Sequence, residues 1–270
     1  MGAAVEYDAA GGVGRIVLNR PEVSNAVDLS TAAAFGAAVD AAAADESVRV
    51  LLVSGAGSRF CSGGDVASML ADDDRAAYLE SLAGELDAAL QRLLALERPV
   101  VAAVHGAVAG AGLAVMLSCD LVVADEETRF LSAYAGVGLT PDCGLSWLLP
   151  RSVGQTRALE LLLTPRVLAA DEARDWGLVT RLAPAGTALA EAERLATALA
   201  AGPPYALGQA RRLSRSAWDQ NRAALGRDEA RTIARAVETA EARERLERFT
   251  GRSGRPEVST IGSTDVPRGV

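Results

Sequence analysis

The sequence predicts an α/β fold in which parallel strands alternate with helices. Three short apolar runs, residues 48–54, 99–104 and 121–124, are rich in valine and have the length of buried strands. The segments between them are long enough to carry the chain back across a sheet for parallel pairing. Half of the 270 residues are hydrophobic, so a chain of this size can form a large core.

The remaining elements follow in order. Residues 14–19 predict a strand that ends at Arg20-Pro21, and Asp28 can cap a helix that runs to about residue 44. Leucines at helical spacing predict a long helix over residues 75–96. Residues 55–65 predict a glycine-rich loop. Further helices are predicted over residues 110–118, 152–163, 171–176, 187–201, 205–217 and 227–249.

A domain boundary is predicted at Gly202-Pro203-Pro204, because these residues interrupt the helical pattern. We therefore expect a core over residues 1–201, a helical C-terminal region over residues 202–252, and a flexible tail over residues 253–270, which are rich in Gly, Ser, Pro and Thr. The charge-mixed last helix is suited to packing on a neighbouring subunit.

Composition excludes several function classes. A net charge of −8 argues against a general nucleic-acid or membrane-surface binder. Three widely spaced cysteines fit a reducing compartment, so we expect a cytoplasmic protein. With His105 as the single histidine, a histidine-based metal site is not expected. His105 lies at a predicted strand end and is assigned a structural role.

One segment resembles a membrane span by length. Residues 100–117 are nearly all apolar or small. However, His105 and the glycines at positions 106, 110 and 112 favour a buried strand, a tight turn and a buried helix. No charged-then-apolar leader opens the sequence, so we also expect no secretory signal.

Two glycine-rich turns each join a predicted strand to a helix: residues 58–65 (SRFCSGGD) and residues 105–112 (HGAVAGAG). Such turns can present backbone N–H groups at a helix N-terminus, where the helix dipole also favours negative charge. If both turns face one cavity, two N–H donors can bind one oxyanion. The alternative is that the glycines only permit tight turns. A dinucleotide site is a weak alternative, because Val115 stands where the third glycine would be.

Six segments, in order, resemble the signatures of the enoyl-CoA hydratase/isomerase (crotonase) family. They are residues 19–26 (NRPEVSNA), 60–65 (FCSGGD), 106–112 (GAVAGAG), 119–120 (CD), 138–144 (GLTPDCG) and 171–179 (DEARDWGLV). The resemblance covers roughly residues 13 to 250. It implies a crotonase-like spiral of ββα units with a helical C-terminal trimerisation region, assembled as a trimer or a dimer of trimers. The implied partner is an acyl-CoA substrate, with no separate cofactor.

The resemblance also implies an oxyanion hole. Matched residue by residue, the two backbone donors come from Gly64 and Ala111, and alanine at the second position departs from the commoner glycine. The residues expected to contact substrate are Ser62, Asp65, Gly110, Tyr134, Arg20 and Arg59. The two arginines are candidates for the CoA phosphates, or they are solvated surface charges. Asp65 is expected mainly to fix its loop or cap the next helix, and Tyr134 to line the acyl pocket or, as the weaker alternative, to relay a proton.

The acid/base residues depart from the hydratase pattern. The two glutamates that hydratases of the family use fall at Ala114 and Tyr134, and neither is a carboxylate. Hydration needs one group for the water and one for the α-proton, so ordinary hydration by that pair is doubtful. Asp142 stands where the resembling phenylacetate-pathway isomerases have an aspartate base. The alternative from spacing alone is that Asp142 caps a helix that starts near Cys143.

The leading hypothesis is an enoyl-CoA isomerase with Asp142 as its single base. Within the same family, a hydratase, a hydrolase, a decarboxylase or a dehalogenase-like enzyme remains open. Dehalogenases of the family use an aspartate at the same position, but their histidine falls near Asp87 here, which counts against that reaction. A non-catalytic acyl-CoA-binding protein is the alternative from another class. Cys61 and Cys143 flank the site without a basic partner, so no thiol nucleophile is expected.

Overall fold

The structure is a computed structural model, and it describes residues 2–251. The tail predicted over residues 253–270, and residue 252 before it, lie outside the described residues. The chain divides into two compact units between Gln220 and Asn221.

The first unit contains two sheets. Its strands are β1 (Val5–Ala10), β2 (Val13–Leu18), β3 (Val50–Gly55), β4 (Val100–Val104), β5 (Ala107–Ala109), β6 (Leu121–Asp125), β7 (Arg129–Leu131), β8 (Leu168–Ala169) and β9 (Arg181–Ala183). Six of them form one sheet in the order β1-β2-β3-β4-β6-β9, and β5-β7-β8 form a second. The β1–β2 pair is antiparallel, and every other pair in the large sheet is parallel, as predicted.

Nine described helices belong to the first unit and two to the second. The first nine are α1 (Leu29–Ala44), α2 (Val66–Ala71), α3 (Arg75–Ala95), α4 (Ala111–Leu117), α5 (Leu145–Val153), α6 (Gln155–Leu163), α7 (Ala170–Trp176), α8 (Ala188–Ala200) and α9 (Pro204–Ser216). The second unit consists of α10 (Arg222–Ala236) and α11 (Ala240–Gly251). Short 3₁₀ turns lie at Pro21–Val23 and Ala135–Val137.

Aspartate side chains cap the N-termini of three early helices, α1, α2 and α3. Asp28 accepts a hydrogen bond from the backbone N–H of Thr31 at the start of α1, which confirms the predicted cap. Asp74 caps α3 in the same way. Each cap satisfies one of the N–H groups that a helix leaves without an intrahelical partner, and such caps typically contribute about 1 kcal/mol.

Both faces of the large sheet are buried, as a parallel sheet requires. On β3, Leu51 and Val53 belong to one core cluster, whereas Val50 and Leu52 belong to the other. The first cluster packs against α1, α3 and α4, and the second packs against α8. The buried residues of α8 are alanines at intervals of four, namely Ala188, Ala192, Ala196 and Ala200. Because alanine is small, this helix can lie close to the strands.

Two predicted helices are each divided in the structure. The helix predicted over 152–163 is wrong as a single element: α5 already begins at Leu145, and Gly154, at φ +83°, separates it from α6. Periodicity continued through that glycine, and only the backbone geometry reveals the break. The helix predicted over 227–249 is also two helices, because Thr239 accepts a hydrogen bond from the Ala242 backbone N–H and starts α11.

Helix α9 belongs to the first unit, beyond the boundary predicted at residues 202–204. Arg211 on α9 is 8% exposed, and its Nε donates to Asp120 Oδ2 at 2.6 Å. Arg215 Nη2 donates to Asp120 Oδ1 at 2.7 Å. Asp120 Oδ2 also accepts the backbone N–H of Val100 at 2.8 Å. These bonds fasten α9 to the start of β4, which explains the difference.

The candidate membrane span over residues 100–117 is β4, β5 and α4 in the structure. No helix in the described part of the chain is long and apolar enough to cross a bilayer.

Candidate active site

The two glycine-rich turns lie against each other. We call the segment between β3 and α2 the first glycine loop, and the segment between β4 and α4 the second glycine loop. Ala109 of the second loop donates its backbone N–H to the carbonyl of Cys61 in the first at 3.0 Å, and Cys61 and Val108 form a parallel bridge. Phe60 donates to the carbonyl of His105 at 2.9 Å. Contact between the two turns was the condition for an oxyanion site, and the turns are in contact.

The two loops also pack together where Gly63 faces Gly110. A Cβ atom added at Gly63 would lie 3.2 Å from the Ala109 carbonyl oxygen, and one added at Gly110 would lie 3.5 Å from Gly63 Cα. Both residues have positive φ, +104° and +51°. The backbone conformation therefore favours glycine at both positions, and at Gly63 the space is also tight for a side chain.

The amides that follow these glycines have no acceptor of their own. Neither Gly64 nor Ala111 donates its N–H in any hydrogen bond of the described residues. Ala111 is the first residue of α4, where a helix leaves its N–H groups unpaired. A Cβ atom added at Gly64 would point into open space, with no atom within 4 Å. Two free donors on touching loops can serve an anionic oxygen.

The Asn25 side chain holds the first glycine loop through hydrogen bonds to its backbone. Its side chain is 1% exposed, and Nδ2 donates to the carbonyls of Ala56 and Arg59, both at 2.8 Å. Oδ1 accepts the backbone N–H of Arg20 at 2.8 Å. Asn25 has φ +55°, a conformation that asparagine tolerates better than most residues. No role was predicted for Asn25 from the sequence, although it belongs to the NRPEVSNA segment that resembles the family.

Arg20 ties the first glycine loop to α1. Its guanidinium donates to Asp65 Oδ2 at 3.0 Å, to the Ala26 carbonyl at 2.6 Å, and lies 3.2 Å from Asp28 Oδ2. Asp65 also caps α2 by accepting from the Ser68 N–H at 3.2 Å, so the expected loop-fixing role of Asp65 agrees with the structure. Arg20 already binds two carboxylates, and this geometry favours a structural role over its predicted contact with a phosphate.

Arg59 and Ser62 of the first glycine loop were also predicted to contact the substrate, and His105 of the second loop was predicted to be structural. Arg59 is exposed, and its Nη1 lies 3.4 Å from Ser24 Oγ. Ser62 is half-buried and donates its backbone N–H to the Ser24 carbonyl at 3.1 Å. His105 Nε2 lies 2.9 Å from the Gly57 carbonyl oxygen, so the histidine joins the two loops as a structural residue. Arg59 therefore remains the freer of the two candidate phosphate ligands.

Asp142 is paired with Tyr134. The phenol of Tyr134 donates to Asp142 Oδ1 at 2.5 Å. The structure does not support Asp142 as a helix cap, because α5 starts at Leu145 with Gly144 at its N-cap and no capping side chain. Cys143 and Gly144 both have positive φ, +50° and +73°. The Asp142 side chain is thus bonded to the phenol and not to the helix end.

Tyr134 connects Asp142 with the second glycine loop. It is 9% exposed, and its Cζ atom lies 3.8 Å from the position of a Cβ at Gly110. Burial, followed by the charge of Asp142, raises the pKa of Tyr134 above its usual value. The phenol therefore stays protonated and acts as a donor. The Tyr134 ring thus lies beside Gly110, the residue before Ala111, and its hydroxyl is bonded to Asp142. This bond to Asp142 adds to the two roles expected for Tyr134, which were to line the acyl pocket or to relay a proton.

Other groups around the site are not suited to acid/base or nucleophilic chemistry. Ala114 is fully buried in α4 and has no ionisable group. Burial raises the pKa of the Cys61 thiol to about 11, and burial and the charge of Asp142 also raise the pKa of Cys143. No cluster of His, Cys, Asp or Glu in the described chain could hold a metal ion.

A second carboxylate lies near the Asp142 turn. Asp87 on α3 has its Oδ1 3.4 Å from the position of a Cβ at Gly144, and its Oδ2 accepts from Gln91 Nε2 at 2.6 Å. The histidine of the dehalogenases falls near residue 87. In this structure that residue is an aspartate, and it lies close to the Asp142 turn.

The conformation of the second glycine loop can be tested by a pair of glycine substitutions. Gly110→Ala should reduce the free energy of unfolding by about 1–3 kcal/mol, because its φ of +51° strains any L-residue. Gly84→Ala is the matched control: it lies mid-helix in α3 with nothing within 4 Å of the new Cβ, and it should stabilise by about 0.5–1 kcal/mol. Chemical denaturation measures both. A Gly110→Ala protein as stable as the parent would contradict the strained loop.

Comparison with known proteins places this site in a family. The sequence profile described as enoyl-CoA hydratase/isomerase matches residues 8–255. The chain is 36% identical over 199 residues to the 1,2-epoxyphenylacetyl-CoA isomerase of Escherichia coli K12, covering 73% of this chain and 76% of that protein. It is 37% identical over 181 residues to the trans-2-decenoyl-(acyl-carrier-protein) isomerase of Streptococcus mutans, covering 65% and 68%.

The fold agrees with this result. The crystal structure of an enoyl-CoA hydratase from Polaromonas sp. JS666 matches with a TM-score of 0.87 and 33% identity, covering 92% of this chain and 96% of that one. The crotonase-like α/β fold with C-terminal helices is confirmed. The chain belongs to the enoyl-CoA hydratase/isomerase family.

Proposed function

We propose that the protein is an enoyl-CoA isomerase, which moves a double bond along the acyl chain with Asp142 as its single base. The observation that carries the proposal is the Asp142–Tyr134 pair, in which the Tyr134 ring lies against Gly110 of the second glycine loop, next in sequence to Ala111. The isomerases among the related proteins, from E. coli and S. mutans, add support.

The proposed steps conserve every atom of the substrate. The Gly64 and Ala111 amides bind the thioester oxygen of a 3-enoyl-CoA. Asp142 removes a proton from C2, and the electron pair moves onto the thioester oxygen as a dienolate. The amides stabilise that negative charge as it develops. Asp142 then returns the proton to C4, so the double bond lies between C2 and C3.

The residues at the two hydratase glutamate positions, Ala114 and Tyr134, favour isomerisation over hydration. Ala114 is buried and Tyr134 is held as a donor to Asp142. Addition of water needs one group to activate the water and another to manage the α-proton. Isomerisation needs only one, since the same carboxyl group can return the proton that it removed. This difference supports the isomerase assignment.

The substrate contacts follow from the surroundings of the site. Exposed Arg59 is our candidate for a CoA phosphate. Apolar side chains are exposed on the segments that adjoin Gly64 and Asp142, at Val66, Leu70, Val137 and Leu139. These side chains suit a pantetheine arm or an acyl chain. In this proposal coenzyme A takes part only within the substrate, no separate cofactor is needed, and the protein is a cytoplasmic homotrimer or dimer of trimers.

Product analysis tests the proposal. Purified protein is incubated with 3-enoyl-CoA and, separately, with 2-enoyl-CoA, and the products are analysed by mass spectrometry. We expect a product of unchanged mass and, in D₂O, slow incorporation of deuterium at the exchanging carbons. A product heavier by one water would establish a hydratase instead, and release of free CoA a hydrolase. Tight binding of all acyl-CoA esters without turnover would indicate a non-catalytic binding protein.

A further inference from the structure

The hydrogen bond between Tyr134 and Asp142 engages one of the two carboxylate oxygens. Oδ1 accepts the phenol proton at 2.5 Å. The donor is firmly placed: Tyr134 is 9% exposed and packs against the glycine loop at Gly110. One oxygen of the carboxylate is thus fixed by the fold.

The turn that carries Asp142 does not hold the side chain by itself. It contains two consecutive residues with positive φ, Cys143 and Gly144, and the backbone carbonyl of Asp142, not its carboxylate, bonds to α5 by accepting from Leu145 at 2.9 Å. An aspartate on such a turn has free rotation about its side-chain bonds unless another group restrains it. The Tyr134 phenol is the restraint that the structure provides.

We propose that Tyr134 is a positioning residue for the base: its phenol holds Oδ1 of Asp142 so that Oδ2 can exchange protons with the acyl chain. This inference rests on the proposed function. A base that takes a proton from one carbon and returns it two carbons away must keep its orientation between the steps. Small displacements of a catalytic group are costly in rate.

Two other groups lie on or near the same turn. Asp87 on α3 has its Oδ1 3.4 Å from the position of a Cβ at Gly144. Burial and the charge of Asp142 raise the pKa of the Cys143 thiol, which therefore stays protonated. Within this group the Tyr134 phenol is the donor that lies 2.5 Å from Asp142 Oδ1.

The test removes only the phenol oxygen. Tyr134→Phe should lower kcat about tenfold or more, because a hydrogen bond to a charged group is lost, and should leave KM nearly unchanged. Tyr7→Phe is the matched control: its buried hydroxyl has no partner, so its loss should change neither parameter.

A double-mutant cycle separates the possible outcomes. If Tyr134 acts through Asp142, adding Tyr134→Phe to Asp142→Asn should cause almost no further loss. Equal losses in both backgrounds would overturn the proposal and make Tyr134 an independent group that acts on the substrate. Full activity of Tyr134→Phe would also overturn it, while leaving the isomerase proposal intact. Full activity of Asp142→Asn would instead contradict the proposed function itself, because it would remove Asp142 as the base.

Discussion

Asp142→Asn should lower kcat for double-bond isomerisation by about 10²–10⁴, the range typical for loss of a positioned general base. The change is close to isosteric, and the amide oxygen can still accept from the Tyr134 phenol, so the local structure should persist. KM should change little, because the substrate is bound through its thioester oxygen and its CoA portion. The isomerase assay, with circular dichroism to confirm folding, measures both effects.

Asp87→Asn is the control for this experiment. Asp87 is the second carboxylate near the turn, with Oδ1 3.4 Å from the Cβ position at Gly144, and it is bonded to Gln91 on its own helix. If Asp142 is the base, Asp87→Asn should alter kcat far less than Asp142→Asn does. If instead Asp87→Asn abolishes activity and Asp142→Asn retains it, the base has been assigned to the wrong aspartate.

The sequence was sufficient for the fold and for the two glycine loops. Valine-rich runs predicted the parallel strands at β3, β4 and β6, and a capping aspartate predicted the start of α1. Such signals are local, because they depend on residue type and spacing. The convergence of the two glycine loops was a condition of the oxyanion-hole hypothesis, and the family resemblance implied Gly64 and Ala111 as its donors, since pairing between distant loops leaves no local pattern.

The helix boundaries and the Asp142–Tyr134 pair were harder to predict. Gly154 interrupts a helical pattern without disturbing its apolar periodicity, so α5 and α6 were predicted as one element. Tyr134 and Asp142 are eight residues apart, and the segment between them contains a short 3₁₀ turn at Ala135–Val137. Their contact depends on the positive-φ turn at Cys143, which spacing does not encode. Spacing alone instead suggested a cap for Asp142, a role that Gly144 fills.

Ala111→Pro should lower kcat by about 10²–10³, the cost of losing one oxyanion donor. Proline has no N–H, and Ala111 is the first residue of α4, where the fixed φ of proline is compatible with a helix. The preceding Gly110, at φ +51° and ψ −122°, is not in the α region that proline disfavours for the residue before it. The substitution therefore removes the donor while the helix can still form.

Two controls separate loss of the N–H from damage to the fold. Ala111→Gly keeps the backbone donor and should retain most of the activity. Arg75→Pro places proline at the first position of α3, an exposed site, and should leave kcat unchanged. A folded Ala111→Pro enzyme as active as the parent would remove Ala111 from the oxyanion hole. Since the charge on the thioester oxygen appears only as the dienolate forms, kcat should fall more than KM rises, which distinguishes stabilisation of the transition state from uniform binding of the substrate.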